Sequence, residues 1–312
     1  MRRFNRFRVP TVIGNRIDIA CPGFEDIELL LGTKTGLYFL VEGELYQLFA
    51  GRVYGITKKN SRWYFILNQK LGLGSKKLAS VGVLVSFRFF DKWPSDIRVE
   101  SHDLGTSIHQ IDSWNSRLYI TDTQSNCIVR FEIENDKLKN KEKFYPFGKV
   151  QNGRSSKNYV HLNSIVRNDS NIYVVCHNDS QKTGKHSSLA KLSMDLEFEE
   201  EICIPAKCAH NLIFDGSNKV YCDSAGGRLM NEFKVLFSHP TFLRGLARSN
   251  EHWFLGGSDF STKSERSQTT GYLFKLNSEG QQLANCTFPQ MGSIYEVRLV
   301  AENDAGLSQT AL

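Results

Sequence analysis

The chain has 312 residues, of which 40% are hydrophobic and 23% charged, and a formal net charge of +6. This is the composition of a globular protein with a sizeable core, and it excludes a disordered or low-complexity chain. The modest positive excess suits an anionic partner without calling for nucleic acid.

In chain order, the N-terminus "MRRFNRFRVP" carries four arginines but lacks the apolar stretch of a secretory signal, so residues 1–24 are expected to be a basic, solvated segment. Three strand-like runs follow in 25–51: "IELLLGT", "GLYFLVEG" and "ELYQLFA". Apolar runs here and elsewhere are broken before the ~18 residues a spanning helix needs, so no membrane span is expected. The seven cysteines (Cys21, Cys127, Cys176, Cys203, Cys208, Cys222 and Cys286) form no CxxC pair and cannot all be disulfide-bonded, which suits a reducing, cytoplasmic setting.

From residue 52 onward one unit recurs. Its openings are "RVYGITKKNSRWYFI" (52–66), "SIHQIDSWNSRLYIT" (107–121), "YVHLNSIVRNDSNIYVV" (159–175), "CAHNLIFDGSNKVYC" (208–222), "FLRGLARSNEHWFLG" (242–256) and "SIYEVRLVAENDAG" (293–306). Each has a short alternating run and a polar turn, and all but the last have a second aromatic-rich run, which reads as strand, hairpin, strand. Two further alternating runs usually follow, as "CIVRFEI" and "KFYPFG" do in the second unit. Helical periodicity is nearly absent. Four antiparallel strands per repeat predict an all-β, six-bladed β-propeller. The sixth opening has no outer strands after it, whereas residues 25–51 supply outer strands with no inner one. Pairing Ile294–Val300 with Ile27–Thr33 closes the ring and removes its free edges. The expected division of 1–312 is one propeller domain: a closing blade from 25–51 and 292–303, and blades at 52–106, 107–150, 158–206, 207–241 and 242–290.

The stretch "LYITDTQSNCIVRF" (118–131) resembles the repeat of NHL-type propellers, with their Leu-Tyr-Val-Ala-Asp core, small polar turn and apolar strand. As architecture the resemblance extends over the chain, to the six-bladed gluconolactonase and strictosidine-synthase-like groups and to an uncharacterised bacterial propeller family of this type. It implies a site around the central channel. The acidic and Asn ligands of those groups have no counterpart in register here, so their chemistry does not transfer residue by residue.

In such a ring, the residue opening each inner strand and the turn after each second strand share one rim. The first set is Tyr54, His109, His161, His210, Arg244 and Tyr295; the second includes Asp122, His177 with Asp179, Asp223 and Asp259. The long connections 68–82, 148–158, 177–188 and 257–271 belong to the same rim. They carry Lys70, Lys76, Lys77, Arg154, Lys182, Lys185, Lys263 and Arg266, which suits a small polar or anionic ligand. His109, His161 and His210 at one register are candidates for holding one divalent transition metal ion (Zn, Mn or Fe). Two other roles stay open: metal-free acid–base catalysis, or hydrogen bonding to the channel-mouth backbone. Arg244 is assigned to substrate charge, with Tyr54 and Tyr295 shaping the mouth and the carboxylates and His177 beside the ligand. The expected function is a hydrolase, lyase or isomerase; the alternative is a non-catalytic propeller binding a protein or glycan through its rim.

Overall fold

The computed structural model describes residues 9–71, 79–150, 156–262, 264–300 and 304, the side chains of 69–71, 79 and 80 excepted. Strands dominate, in six antiparallel sheets that form the blades of a β-propeller. Blade I runs Arg52–Lys59, Arg62–Leu71, Ala79–Phe90, Trp93–Leu104, and blade II Ile108–Trp114, Arg117–Asp122, Cys127–Glu134, Lys137–Phe144. Blade III runs Leu162–Asn168, Asn171–Cys176, Ser188–Leu192, Phe198–Cys203, and blade IV Ala209–Asp215, Asn218–Asp223, Arg228–Asn231, Lys234–Ser238. Blade V is Phe242–Arg248, His252–Ser258, Gly271–Asn277, Gln282–Phe288. The polar dipeptides between first and second strands make tight hairpins. Asn115 and Ser116, with φ of 48° and 54°, adopt the left-handed conformation that a two-residue turn of matching twist demands.

Blade VI is the seam. Its inner strand, Ile294–Leu299, pairs antiparallel with Leu29–Thr33, and the sheet continues through Gly36–Val41 and Glu44–Ala50. The closure read from the repeat is therefore present, with Leu29 opposite Leu299. One strand had not been anticipated: Asn15–Ala20 pairs with Glu44–Ala50 as a fifth, outermost strand. Its sequence, NRIDIA, is mostly exposed and weakly patterned, so it looks like tail until its partner is known.

Apolar side chains fill the wedges between neighbouring blades. Phe49, Trp63, Phe65 and Phe87 pack between blades VI and I, and Trp114 stacks on Tyr119 with centroids 3.8 Å apart. The inner strands are irregular at a common height. Pairing registers shift between Tyr54 and Ile56, Leu162 and Ile165, His210 and Leu212, and Leu243 and Leu246. Gly55 (φ 54°) and Gly245 (φ 86°) sit in these bulges, and a Cβ on Gly55 would stand 2.6 Å from the Ile111 nitrogen. A bulge of this kind re-aims the side chain beside it.

Cys21, just after the fifth strand, is disulfide-bonded to Cys286 on the outer strand of blade V, with Cα atoms 5.3 Å apart. The other five cysteines are free, so the seven are indeed not all bonded, but the cytoplasmic setting no longer follows from them, because disulfides persist in oxidising compartments. Among the described residues, no helix is long and apolar enough to cross a membrane.

The bond spans 265 residues across the seam. Cys286→Ser is expected to lower the oxidised protein's unfolding free energy by about 2–4 kcal/mol, read from urea midpoints. The difference should vanish in reductant; equal midpoints under oxidising conditions would show that the bond constrains nothing.

Candidate functional site

The bulged inner strands place one side chain each at the channel mouth. Tyr54, His109, His161, His210, Arg244 and Tyr295, the six residues at the repeat's opening position, all line one cavity of about 250 Å³. Their rings form a contiguous arc. Tyr54 stacks on Tyr295 at 4.5 Å, His109 lies 5.7 Å from Tyr54 and 5.2 Å from His161, and His210 lies 6.1 Å from His109. His177 and Asp179, from the connection after the second strand of blade III, join from above, and His177 stacks on His161 at 4.3 Å.

The Nδ1 partners define what each imidazole can do. His210 Nδ1 stands 2.7 Å from the Cys208 carbonyl oxygen and 2.9 Å from Ser224 Oγ. A carbonyl only accepts, so Nδ1 carries the proton. His109 Nδ1 lies 2.7 Å from Thr123 Oγ1, whose own hydrogen goes to the Leu162 carbonyl, so this nitrogen also donates. Burial, with Arg244 nearby, holds both imidazoles well below the usual histidine range. Both are therefore neutral at pH 7, with the lone pair on Nε2. His161 Nδ1 instead meets the Asp179 carboxylate directly.

Those partnerships bear on metal binding. Among the described residues, His161, His177 and Asp179 form the group of three whose ligand atoms lie within 4.8 Å of one another. This group shares only His161 with the trio His109, His161 and His210 read from the repeat. Two imidazoles and a carboxylate suit a divalent transition metal ion, so the donor set fits.

Asp259 lines the cavity, where it accepts from the Tyr272 hydroxyl at 2.8 Å. Asp122 and Asp223 are not among the residues lining it, although the repeat had placed them beside the ligand. Each carboxylate turns back on its own loop: Asp122 accepts from the Ser125 amide, and Asp223 takes Arg228 Nε at 2.9 Å and the Lys207 amide. Of the rim cations, Lys182 and Arg266 line the cavity. Lys76, Lys77, Arg154, Lys263 and the Lys70 side chain fall outside the described residues. Sequence reasoning missed Thr123 and Ser224, the hydroxyls that orient His109 and His210. The repeat held the signal, since each directly follows the aspartate in "TDT" and "CDS". It also missed Arg52, which lines the cavity and sits two residues before Tyr54, on the same face of a strand.

Below the cavity the channel is closed by polar groups. Glu296 is fully buried; its Oε1 accepts from Asn211 Nδ2 at 3.1 Å and pairs with Arg298 Nη1 at 2.9 Å. Arg298 also donates to the carbonyls of Ile56 and Leu246, and Asn211 Oδ1 accepts from the Gly245 amide. This network joins blades I, IV, V and VI. Burial outweighs the attraction of Arg298 and Arg244 and pushes the Glu296 carboxyl up to about 7.

No family model and no curated protein matches the chain. Solved structures do. A chain of a nidogen/laminin complex superposes with a TM-score of 0.61 at 13% identity, over 91% of this chain and 99% of that one. A protein of unknown function from Bacteroides caccae gives 0.57 at 8% identity, over 88% and 99%. The periplasmic gluconolactonase of Pseudomonas aeruginosa gives 0.53 at 12% identity, over 89% and 99%. At these identities the likeness establishes the propeller fold.

Glu296 makes stability depend on pH. The folded chain keeps it neutral up to about pH 7, whereas the unfolded chain ionises it from its ordinary value of 4.5. Its contribution is thus complete below pH 4.5 and is lost as pH rises to about 7. His109 and His210 act oppositely: their contribution is present above pH ~6.5 and declines as pH falls below it. They are common to wild type and Glu296→Gln, so they cancel in the difference. The variant's stability relative to wild type is expected to rise between pH 5 and pH 7.5, by about 2 kcal/mol. A pH-independent difference in urea midpoints would contradict a neutral Glu296.

Proposed function

We propose that the chain is an enzyme acting on a small anionic substrate at the channel mouth, by hydrolysis or β-elimination. The observation that carries this reading is the bond from His161 Nδ1 to the Asp179 carboxylate, inside the cavity that also holds the buried guanidinium of Arg244. The carboxylate fixes the tautomer and supports the positive charge the ring gains on taking a proton. His161 Nε2 then acts as the base, towards water in hydrolysis or towards a carbon-bound proton beside a carboxylate in elimination. Arg244 holds the substrate's negative charge and so stabilises the enolate-like charge that elimination develops. The neutral His109 and His210 accept hydrogen bonds from substrate hydroxyls through Nε2. Where a divalent transition metal ion is bound, His161, His177 and Asp179 would hold it, and it would supply an acidified water or a polarised carbonyl in place of the free His161 base. The shared fold with a structure named gluconolactonase supports a substrate of the sugar-acid type.

A second reading is a rim that binds protein or glycan. Phe260 favours it, since it lines the cavity yet is 55% exposed, as an anchor residue would be. The likeness to a chain solved within a nidogen/laminin complex supports it as well.

Turnover of sugar-acid lactones and of β-eliminable uronates by the purified chain separates the two. His161→Gln and Asp179→Asn are each expected to lower kcat/KM by about 100-fold or more, while Arg244→Gln raises KM. A His161→Gln protein with wild-type turnover sinks the catalytic assignment. Elemental analysis after dialysis against Zn or Mn is expected to find about one equivalent in wild type and none in His177→Ala, the stoichiometry of a three-ligand site. Equal metal in both would remove the metal from the site.

A further inference from the structure

Where the arginines lie in the ring says more about the ligand. Several buried or half-buried guanidinium groups elsewhere have carboxylate partners: Arg62 with Asp96, Arg130 with Glu142, Arg228 with Asp223, Arg248 with Asp215. Buried charge is costly without such pairing. Arg52, Arg244 and Arg266 all line the cavity, and among the described residues none of them has a carboxylate within ion-pair distance. Arg244 is only 4% exposed, and its guanidinium lies over the ring of Tyr295 at 4.7 Å and of Tyr54 at 5.6 Å. Arg52 lies 5.9 Å from the Tyr54 ring on its own strand. Aromatic faces offset part of the cost of a desolvated cation, but they do not neutralise it.

We propose that the cavity seats a doubly charged anionic group, a phosphate ester or a dicarboxylate, on Arg52, Arg244 and Arg266, with the rest of the molecule reaching across the channel to His161 and Asp179. The proposal rests on the anionic-substrate reading above and adds the charge and orientation of that substrate. Three arginines against the Asp259 carboxylate on their side of the cavity leave an excess of two positive charges, which a singly charged ligand does not balance. Tyr54 registers the same excess: burial alone would raise its hydroxyl, yet Arg244 and Arg52 together pull it below the ordinary tyrosine value.

Orientation follows from ring order. Blade III, which carries His161, His177 and Asp179, stands opposite blade VI, and blades V and I, which carry the arginines, flank blade VI. Counting Asp259 with the three arginines and Lys182 with Asp179, the arginine side keeps the larger excess of positive charge, which favours this pose over the reversed one. The cavity, about 250 Å³, falls below the roughly 300–1,000 Å³ of drug-sized pockets, so the ligand is small.

Calorimetric titration of the full-length chain at pH 7.5 and constant ionic strength tests this, with malonate and inorganic phosphate as dianions and acetate as the monoanion. At least one dianion is expected to bind about tenfold or more tighter than acetate, and the tighter of the two identifies the group. Arg52→Gln and Arg266→Gln alter half-buried side chains, so both variants are expected to fold. Each should weaken the dianion about tenfold and leave acetate little changed, while His161→Gln should leave dianion binding intact. Acetate binding as tightly as both dianions, or wild-type dianion affinity in both arginine variants, overturns the doubly charged ligand and leaves the anionic-substrate reading standing. Absence of binding by all three probes at millimolar concentration overturns both.

Discussion

Everything at the channel mouth depends on one hydrogen-bond ladder, that between Leu29–Thr33 and Ile294–Leu299. An inner propeller strand without a sheet behind it leaves its backbone groups unpaired on one edge, and only the N-terminal strands supply that sheet here. The strand they hold carries Tyr295, Glu296 and Arg298 in four residues. Tyr295 supports the Arg244 guanidinium, and Glu296 and Arg298 bind across the channel to three other blades. Ring closure and construction of the site are therefore one event.

The site has two unlike walls. On one side the imidazoles are held neutral or paired with Asp179, and their Nδ1 protons are committed to the rim. On the other, cations stand against tyrosine rings without carboxylate partners among the described residues. A uniform lining would bind anions in any pose. In the proposed reaction, a divided one would present the substrate's uncharged end to His161 and Asp179, and this division would matter more to the chemistry than the number of histidines.

Much of this was legible in the sequence because a propeller writes its architecture as repetition. The opening motif returned six times and fixed which residues reach the axis, and the unpaired sixth opening disclosed the closing blade. Asp122 and Asp223 misled because register gives a residue's height in the blade but not whether its carboxylate faces the axis or its own turn. Thr123, Ser224 and Arg52 were masked by ordinary residue types. Asn15–Ala20 and the Cys21–Cys286 bond escaped for another reason: both depend on contacts between chain ends, which no local pattern records. The buried pair of Glu296 and Arg298 sits in an unremarkable alternating run, and only the closed ring reveals that its partners lie on other blades.

The disulfide has a consequence for the life of the molecule outside the refolding tube. Cys21 and Cys286 bracket nearly all of the ring, including the rim connections 177–188 and 257–271. A protease that cuts such a connection creates two new chain ends but cannot separate the pieces, since each remains covalently joined to the other and lodged in a closed set of blades. The rim can thus be long and accessible, as a binding face must be, while a single nick falls short of destroying the protein.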